Sequence, residues 1–194
     1  MAEPRRIDEH AAESLGYIRD AMERAGSFTA VPGWGAVVMG LAGLAAAVIA
    51  PAQPTPAEWL LAWLAAAAVA TIVGILSILI KSRQFGVPFF SRPARQFALS
   101  FSPAVLAGIL LTVALYRAAL FDLLPGLWLL LYGAAVVAGG TFSVRIVPLT
   151  GVLFLFLGTI ALFSSPVVGE VCLGIGFGGL HIVFGTIIAR NHGG

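Results

Sequence analysis

Charge is scarce in this sequence. Of its 194 residues, eleven are lysine or arginine and nine are aspartate or glutamate, 10% in all, whereas a soluble domain carries about 25%. That deficit excludes an ordinary water-soluble globule. Cysteine occurs once, at Cys172, so no internal disulfide can form. Lysine also occurs once, at Lys81, outside the apolar stretches, which leaves none to form a Schiff base with retinal. A phosphate-cradling glycine loop, a histidine–glutamate zinc motif, a Gly-x-Ser-x-Gly elbow and paired carboxylates within apolar stretches are all missing. An enzyme is therefore not expected. The net charge of +2 rests on a few scattered arginines, with no basic patch or stripe of the kind that nucleic acid requires.

What the chain does have is hydrophobic length, with 59% of its residues apolar. Six apolar stretches, roughly 34–50, 58–80, 101–119, 124–143, 147–163 and 167–189, are each about one bilayer long. Each is bounded by proline, glycine or charge. The pattern predicts an all-α polytopic membrane protein with six transmembrane helices over residues 31–190, preceded by a helix and linker over 1–30. The N-terminus is charged and the first apolar run begins only near Trp34, so no signal peptide is expected. Orientation follows the basic residues. Arg5, Arg6, Arg19, Arg24, Lys81, Arg83, Arg92, Arg95, Arg145 and Arg190 fall on one side, against Arg117 alone on the other. That places both termini in the cytoplasm, with the lipid of a bacterial inner (plasma) membrane around the bundle. Trp34 marks the inner interface and Trp59 and Trp128 the outer one, with Trp63 one turn deeper.

Residues 4–25 read as an amphipathic helix, with Pro4 in the first turn and Gly26 just past the end. Ile7, Ala11, Leu15, Ile18, Met22 and Ala25 form one apolar stripe. Residues 1–26 hold four basic and six acidic groups, unlike the basic polar face of a membrane-lying helix. Ile7, Leu15, Ile18 and Met22 therefore read as a docking face for a cytoplasmic protein, for a neighbouring subunit, or for the chain's own basic loop (Lys81, Arg83, Arg92, Arg95). That loop, from Lys81 to Ser100, is expected to lie on the membrane surface with Phe85, Phe89 and Phe90 dipped in.

An internal repeat is visible. Residues Glu58–Ala70 align without a gap on Leu127–Gly139, matching Trp59 to Trp128. Gly35–Leu41 aligns on Pro103–Ile109 at almost the same offset. Gly158 precedes Pro166 by the interval that separates Gly43 from Pro51. Alanine- and leucine-rich spans can align by chance, but the tryptophan match and shared offset favour three copies of one hairpin, at about 34–80, 101–143 and 147–189. Two-span copies are parallel, with a pseudo-axis along the membrane normal.

His181 stands near the middle of the last stretch, where an ionisable residue is a functional candidate. Three readings are open: a haem or chlorin ligand, a proton-relay or sensing group, or a neutral imidazole bonded across helices to Thr112, Thr141, Thr159 or a carbonyl. Glu170 precedes it by eleven residues, about 20° around an ideal α-helix and roughly 16 Å along it. The two would share a face, as outer and inner groups of one polar path with Thr112, Thr141 and Tyr132; equally, Glu170 faces outer water as Glu58 does. Gly174, Gly178 and Gly179 suit close helix packing; Gly174 with Gly178 and Gly139 with Ser143 form small-xxx-small pairs. Arg117 and Asp122 flank the third connection, where a surface ion pair would be ordinary. No metal site is expected.

The opening Arg6-Ile-Asp-Glu-His10 and Ile18–Trp34, and the closing Gly176-Phe-Gly-Gly-Leu-His-Ile-Val-Phe-Gly185 with Ala189-Arg190 and two glycines, resemble an uncharacterised family of small six-span bacterial inner-membrane proteins over essentially the whole chain. That resemblance implies the fold and the membrane location and no mechanism. In size and hairpin style the chain is also similar to the acid-resistance membrane proteins built of short transmembrane hairpin repeats. The expected function is non-enzymatic: assembly with itself or with other membrane subunits, the N-terminal helix docking a partner. The competing classes are a small channel or carrier and a pigment-binding subunit.

Overall fold

Backbone polar groups in hydrocarbon have no water to bond, so an apolar stretch of bilayer length closes its own hydrogen bonds as a helix. The computed structural model of the chain describes residues 33–84, 92–141, 143, 144 and 146–191. Among them every element is helical: α1 (Gly33–Ile49), α2 (Pro56–Gln84), α3 (Arg92–Arg117), α4 (Leu124–Gly140), α5 (Ile146–Leu162), α6 (Pro166–Leu173), a π-helical segment (Gly174–Leu180) and α7 (His181–Asn191). Short 3₁₀ turns, Ala50–Ala52 and Phe121–Leu123, connect α1 to α2 and α3 to α4. Five stretches are long and apolar enough to cross a membrane: Gly33–Ala52, Pro56–Ile80, Ala94–Arg117, Phe121–Gly140 and Pro166–Asn191. The apolar α5, at 17 residues, sits at the short end of the spanning range. This is an all-α membrane protein.

Two expectations from the sequence change. The connection from Lys81 to Ser100 is not one long surface loop, because α2 runs on to Gln84 and α3 already begins at Arg92. Pro93 falls in the first turn of α3, where its missing N–H costs nothing, and the helix continues through polar residues before the apolar run starts. Phe85, Phe89 and Phe90 lie outside the described residues, as do Arg145 and the N-terminal segment with Ile7, Leu15, Ile18 and Met22. The last apolar stretch is not one α-helix either. Four glycines among seven residues, Gly174, Gly176, Gly178 and Gly179, remove the side chains that favour the α register, and the chain opens into a π-helical segment, a form rare outside single turns.

Glycines build the two inner helix pairs, on α4 and α5 repeating at seven residues, two turns along one face. On α4 and α5, a methyl added at Gly133 would lie 2.8 Å from the Gly151 carbonyl oxygen, and one at Gly158 would lie 2.7 Å from the Leu130 nitrogen. On α1 and the last span, a methyl at Gly43 would lie 2.5 Å from the Phe177 carbonyl oxygen, and one at Gly185 would lie 2.8 Å from that of Gly33. Both pairs are antiparallel and packed backbone to backbone, the close approach that holds helices together where lipid supplies no hydrophobic drive. Trp63, Leu129, Phe154, Cys172 and Leu173 form the buried core between them. The outer helices are applied to this centre, α2 against α1 and α3 against α4. Only 6% of the apolar window of each is buried, so both are peripheral.

Candidate functional site: two polar centres in the bundle

The first centre joins α4 to the last span. His181 opens α7 immediately after the π-helical segment, and its Nε2 lies 2.8 Å from the Tyr132 hydroxyl. Its Nδ1 faces the Gly176 carbonyl oxygen at 3.4 Å, five residues back, a long and weaker contact. The pair is self-consistent if Tyr132 O–H donates to Nε2 and Nδ1 carries the ring proton. Aromatic rings enclose it: Phe154 meets the imidazole edge-on at 5.5 Å, Phe177 stacks on it at 6.2 Å, and Phe101 stands edge-on to Tyr132 at 5.9 Å. Phe154 is itself fully buried.

The threonines expected to bind His181 do not. Thr112 donates to the Gly108 carbonyl, Thr159 to that of Leu155 and Thr141 to that of Ala138. A hydroxyl in a helix finds a carbonyl one turn back without leaving its own segment, so it needs no partner across the bundle.

The second centre lies at one end of the bundle and draws on four helices, α2, α3, α4 and α6. Trp59 in the first turn of α2 donates its indole Nε1–H to Glu170 Oε1 on α6. The Trp59 ring stacks on Trp128 of α4, with centroids 5.6 Å apart and planes within 14°. Trp128 in turn donates its Nε1–H to the Thr112 hydroxyl on α3 at 2.8 Å. A chain of side chains thus ties α6, α2, α4 and α3 together. Trp63, 4% exposed, turns its buried indole Nε1–H toward the same carboxyl, in a looser contact than that of Trp59.

Glu170 is therefore not a carboxylate simply facing water. That role belongs to Glu58, which is exposed and caps α2: the Thr55 hydroxyl accepts from the Glu58 backbone N–H at 3.3 Å and donates to its carboxylate at 2.7 Å. The shared face expected for Glu170 and His181 fails too, because the π-helical segment between them carries more residues per turn than the α-helix on which that expectation rests. Of the five candidates for a polar path, Tyr132 and His181 are brought together and Glu170 and Thr112 flank the stacked tryptophans. Thr141 stands apart, exposed at the far end of α4.

No family model, curated protein or solved structure matches the chain.

Among the packing candidates, Gly178 is tight: a methyl there would lie 2.4 Å from the Leu44 side chain. At Gly174 it would meet Ala47 at 3.1 Å, and at Gly179 it would meet nothing within 4 Å. Gly179 is thus not a packing glycine here, and Gly139 faces the ring of Phe97 and the Cβ of Phe101 rather than another small residue. Arg117 and Asp122 form no ion pair among the described residues. Trp59 and Trp63 as partners of a carboxyl, and Trp128 as a link from Trp59 to Thr112, were not read from the sequence, where the three served as interface markers. The one available signal was the alignment of Trp59 on Trp128. Among the described residues, no group of three histidine, cysteine, aspartate or glutamate side chains could hold a metal ion.

Proposed function

We propose that this is a non-enzymatic bacterial inner-membrane protein that acts through assembly with itself or with other membrane subunits. One observation carries the reading. The polar side chains of the interior are largely spent on one another, Tyr132 on His181 and Glu170 on Trp59, while the two peripheral helices turn apolar surface outward. On α2 that surface includes Leu61, Leu64, Ile72 and Leu76, and on α3 Leu106, Ile109, Leu110 and Val113. A bundle whose polar groups are closed internally offers no continuous hydrophilic path, and its accessible face is that of a membrane partner.

The basic residues argue for cytoplasmic termini, and the amphipathic stretch with Ile7, Leu15, Ile18 and Met22 is assigned as the docking element. The three-hairpin organisation gains support from the contact between Trp59 and Trp128, the two residues that the repeat aligns. The oligomeric state in mild detergent, measured by light scattering or native mass spectrometry, tests the reading. A defined oligomer or heteromeric complex is expected. An isolated monomer, together with undiminished partner recovery after deletion of residues 1–27, overturns it.

A further inference from the structure

Aromatic rings join the two polar centres. Trp59 stacks on Trp128 at 5.6 Å, and Trp128 stands four residues before Tyr132 on α4, one turn along the same face. A second route starts at Trp63, whose ring lies 6.3 Å from that of Phe177, which in turn lies 5.1 Å from that of Tyr132. Both routes end at the hydrogen bond between Tyr132 and His181. Indole and phenol are the two readily oxidised aromatic side chains, and Phe177 is a spacer between them.

Each end of this chain of rings holds what an oxidised ring needs. Loss of an electron turns an indole N–H or a phenol O–H into a strong acid, so oxidation is easiest where a base already accepts that hydrogen. Glu170 Oε1 accepts the Trp59 N–H, and the Trp63 N–H is turned toward the same carboxyl. The Tyr132 O–H lies 2.8 Å from His181 Nε2, within reach of direct proton transfer. With the ring proton on Nδ1, Nε2 is a base. Phe101, Phe154 and Phe177 pack around the phenol and shield it from side reactions with water. At the other end Trp59 and Trp128 are half-buried near the ends of their helices, the headgroup depth that tryptophan favours. A phenol O–H bond is weaker than an indole N–H bond, so an electron vacancy made at the tryptophans runs toward Tyr132.

We propose that these residues form a one-electron relay that takes an oxidising equivalent from an organic peroxyl radical at the membrane surface and holds it at Tyr132. The radical takes an electron from the stack of Trp59 and Trp128, and the Trp59 N–H proton passes to Glu170. The peroxide anion so formed takes a proton from interfacial water, leaving hydroxide. Tyr132 then returns an electron to the stack, Trp59 recovers its proton from Glu170, and the phenol proton crosses to His181 Nε2. In sum, peroxyl radical and water become hydroperoxide and hydroxide, while Tyr132 becomes a neutral tyrosyl radical and His181 an imidazolium. A peroxyl group suits the entry point, because its polar oxygens, formed on an acyl chain, rise to the depth of the indoles. The relay stands independently of assembly.

The full chain in phospholipid vesicles provides the test, with the other two tyrosines, Tyr17 and Tyr116, changed to phenylalanine. Flash photolysis of ruthenium tris-bipyridine with persulfate makes a one-electron oxidant in the water, and electron paramagnetic resonance reads the radical that forms. A tryptophanyl signal that gives way to a tyrosyl signal is expected. In Tyr132→Phe, which keeps the ring packing, only the tryptophanyl signal should remain. Glutamine in place of His181 can still accept the phenol hydrogen bond but is no base, so His181→Gln should lower the tyrosyl yield severalfold; if it fails to fold, His181→Ala carries the comparison. The peroxyl source is tested with an azo initiator and a fluorescent polyunsaturated lipid probe in the same vesicles. Bleaching of the probe should be delayed by a lag that lengthens with protein concentration and is absent in Tyr132→Phe. A tryptophanyl radical that never passes to Tyr132, or an undiminished tyrosyl yield in the folded His181 variant, overturns the relay. Equal bleaching curves for the two proteins overturn the peroxyl assignment.

Discussion

Tyr132 and His181, 49 residues apart in the chain, are joined across the bundle by a 2.8 Å hydrogen bond between the phenol hydroxyl and Nε2. It is the polar link between α4 and the last span, set among Phe101, Phe154 and Phe177. Interhelical hydrogen bonds in membrane proteins average about 0.6 kcal/mol and reach about 1.7. A double-mutant cycle with Tyr132→Phe and His181→Ala, read by unfolding in mixed detergent, should give a coupling energy in that range. Additive losses would mean that the two side chains are neighbours and nothing more.

The same bond bears on pigment binding. A haem or chlorin ligand needs a free imidazole nitrogen, yet Nε2 is taken by Tyr132 and Nδ1 faces the Gly176 carbonyl. The purified protein is expected to be colourless, with no absorption band beyond the aromatic region, and to remain so after incubation with haem. A Soret band in the wild type that disappears in His181→Ala would show that the Tyr132 bond gives way to a ligand.

Glycine positions separate into those that carry packing and those that do not. Gly133 admits no methyl, since it would fall 2.8 Å from the Gly151 carbonyl oxygen, and one at Gly178 would force aside the Leu44 side chain, 2.4 Å away. Alanine at either should destabilise the bundle by about 1–3 kcal/mol through overpacking. Gly179 opens on empty space, so Gly179→Ala should be neutral or mildly stabilising. Thermal unfolding of the three variants in one detergent checks the ranking, and an equal loss at Gly179 would contradict the assigned packing.

The helices were legible in the sequence because hydropathy and bilayer length constrain the backbone so strongly. The inner glycine pairs were half legible: the spacing of Gly126, Gly133 and Gly140 stands in the sequence, but only the fold shows that Gly133 meets Gly151. The π-helical segment was not legible, since an apolar, glycine-rich run looks the same whether its hydrogen bonds close at four residues or five. That change of register is also why Glu170 and His181 left their common face. The partners of both residues were missed for a common reason. Tryptophan and tyrosine have an apolar body and a polar tip, and in an apolar sequence the body declares itself while the tip does not.

The end of α3 offers a test of backbone strain. Leu120 donates its N–H to the Leu115 carbonyl at 2.9 Å and Ala119 donates to Tyr116 at 3.1 Å, the paired bonds of a Schellman ending. Ala119 takes the left-handed position of that motif at φ 57°, the one non-glycine residue with positive φ among the described residues. Glycine is the usual occupant, because a Cβ there crowds the following carbonyl at a cost of roughly 1–2 kcal/mol. Ala119 is exposed and carries no packing to lose. Ala119→Gly should therefore raise stability, by about 0.5–1 kcal/mol once the added freedom of the unfolded chain is set against the relieved strain. The measurement is the unfolding midpoint of the variant against the wild type in the same detergent. A lowered midpoint would show that α3 does not end in this turn.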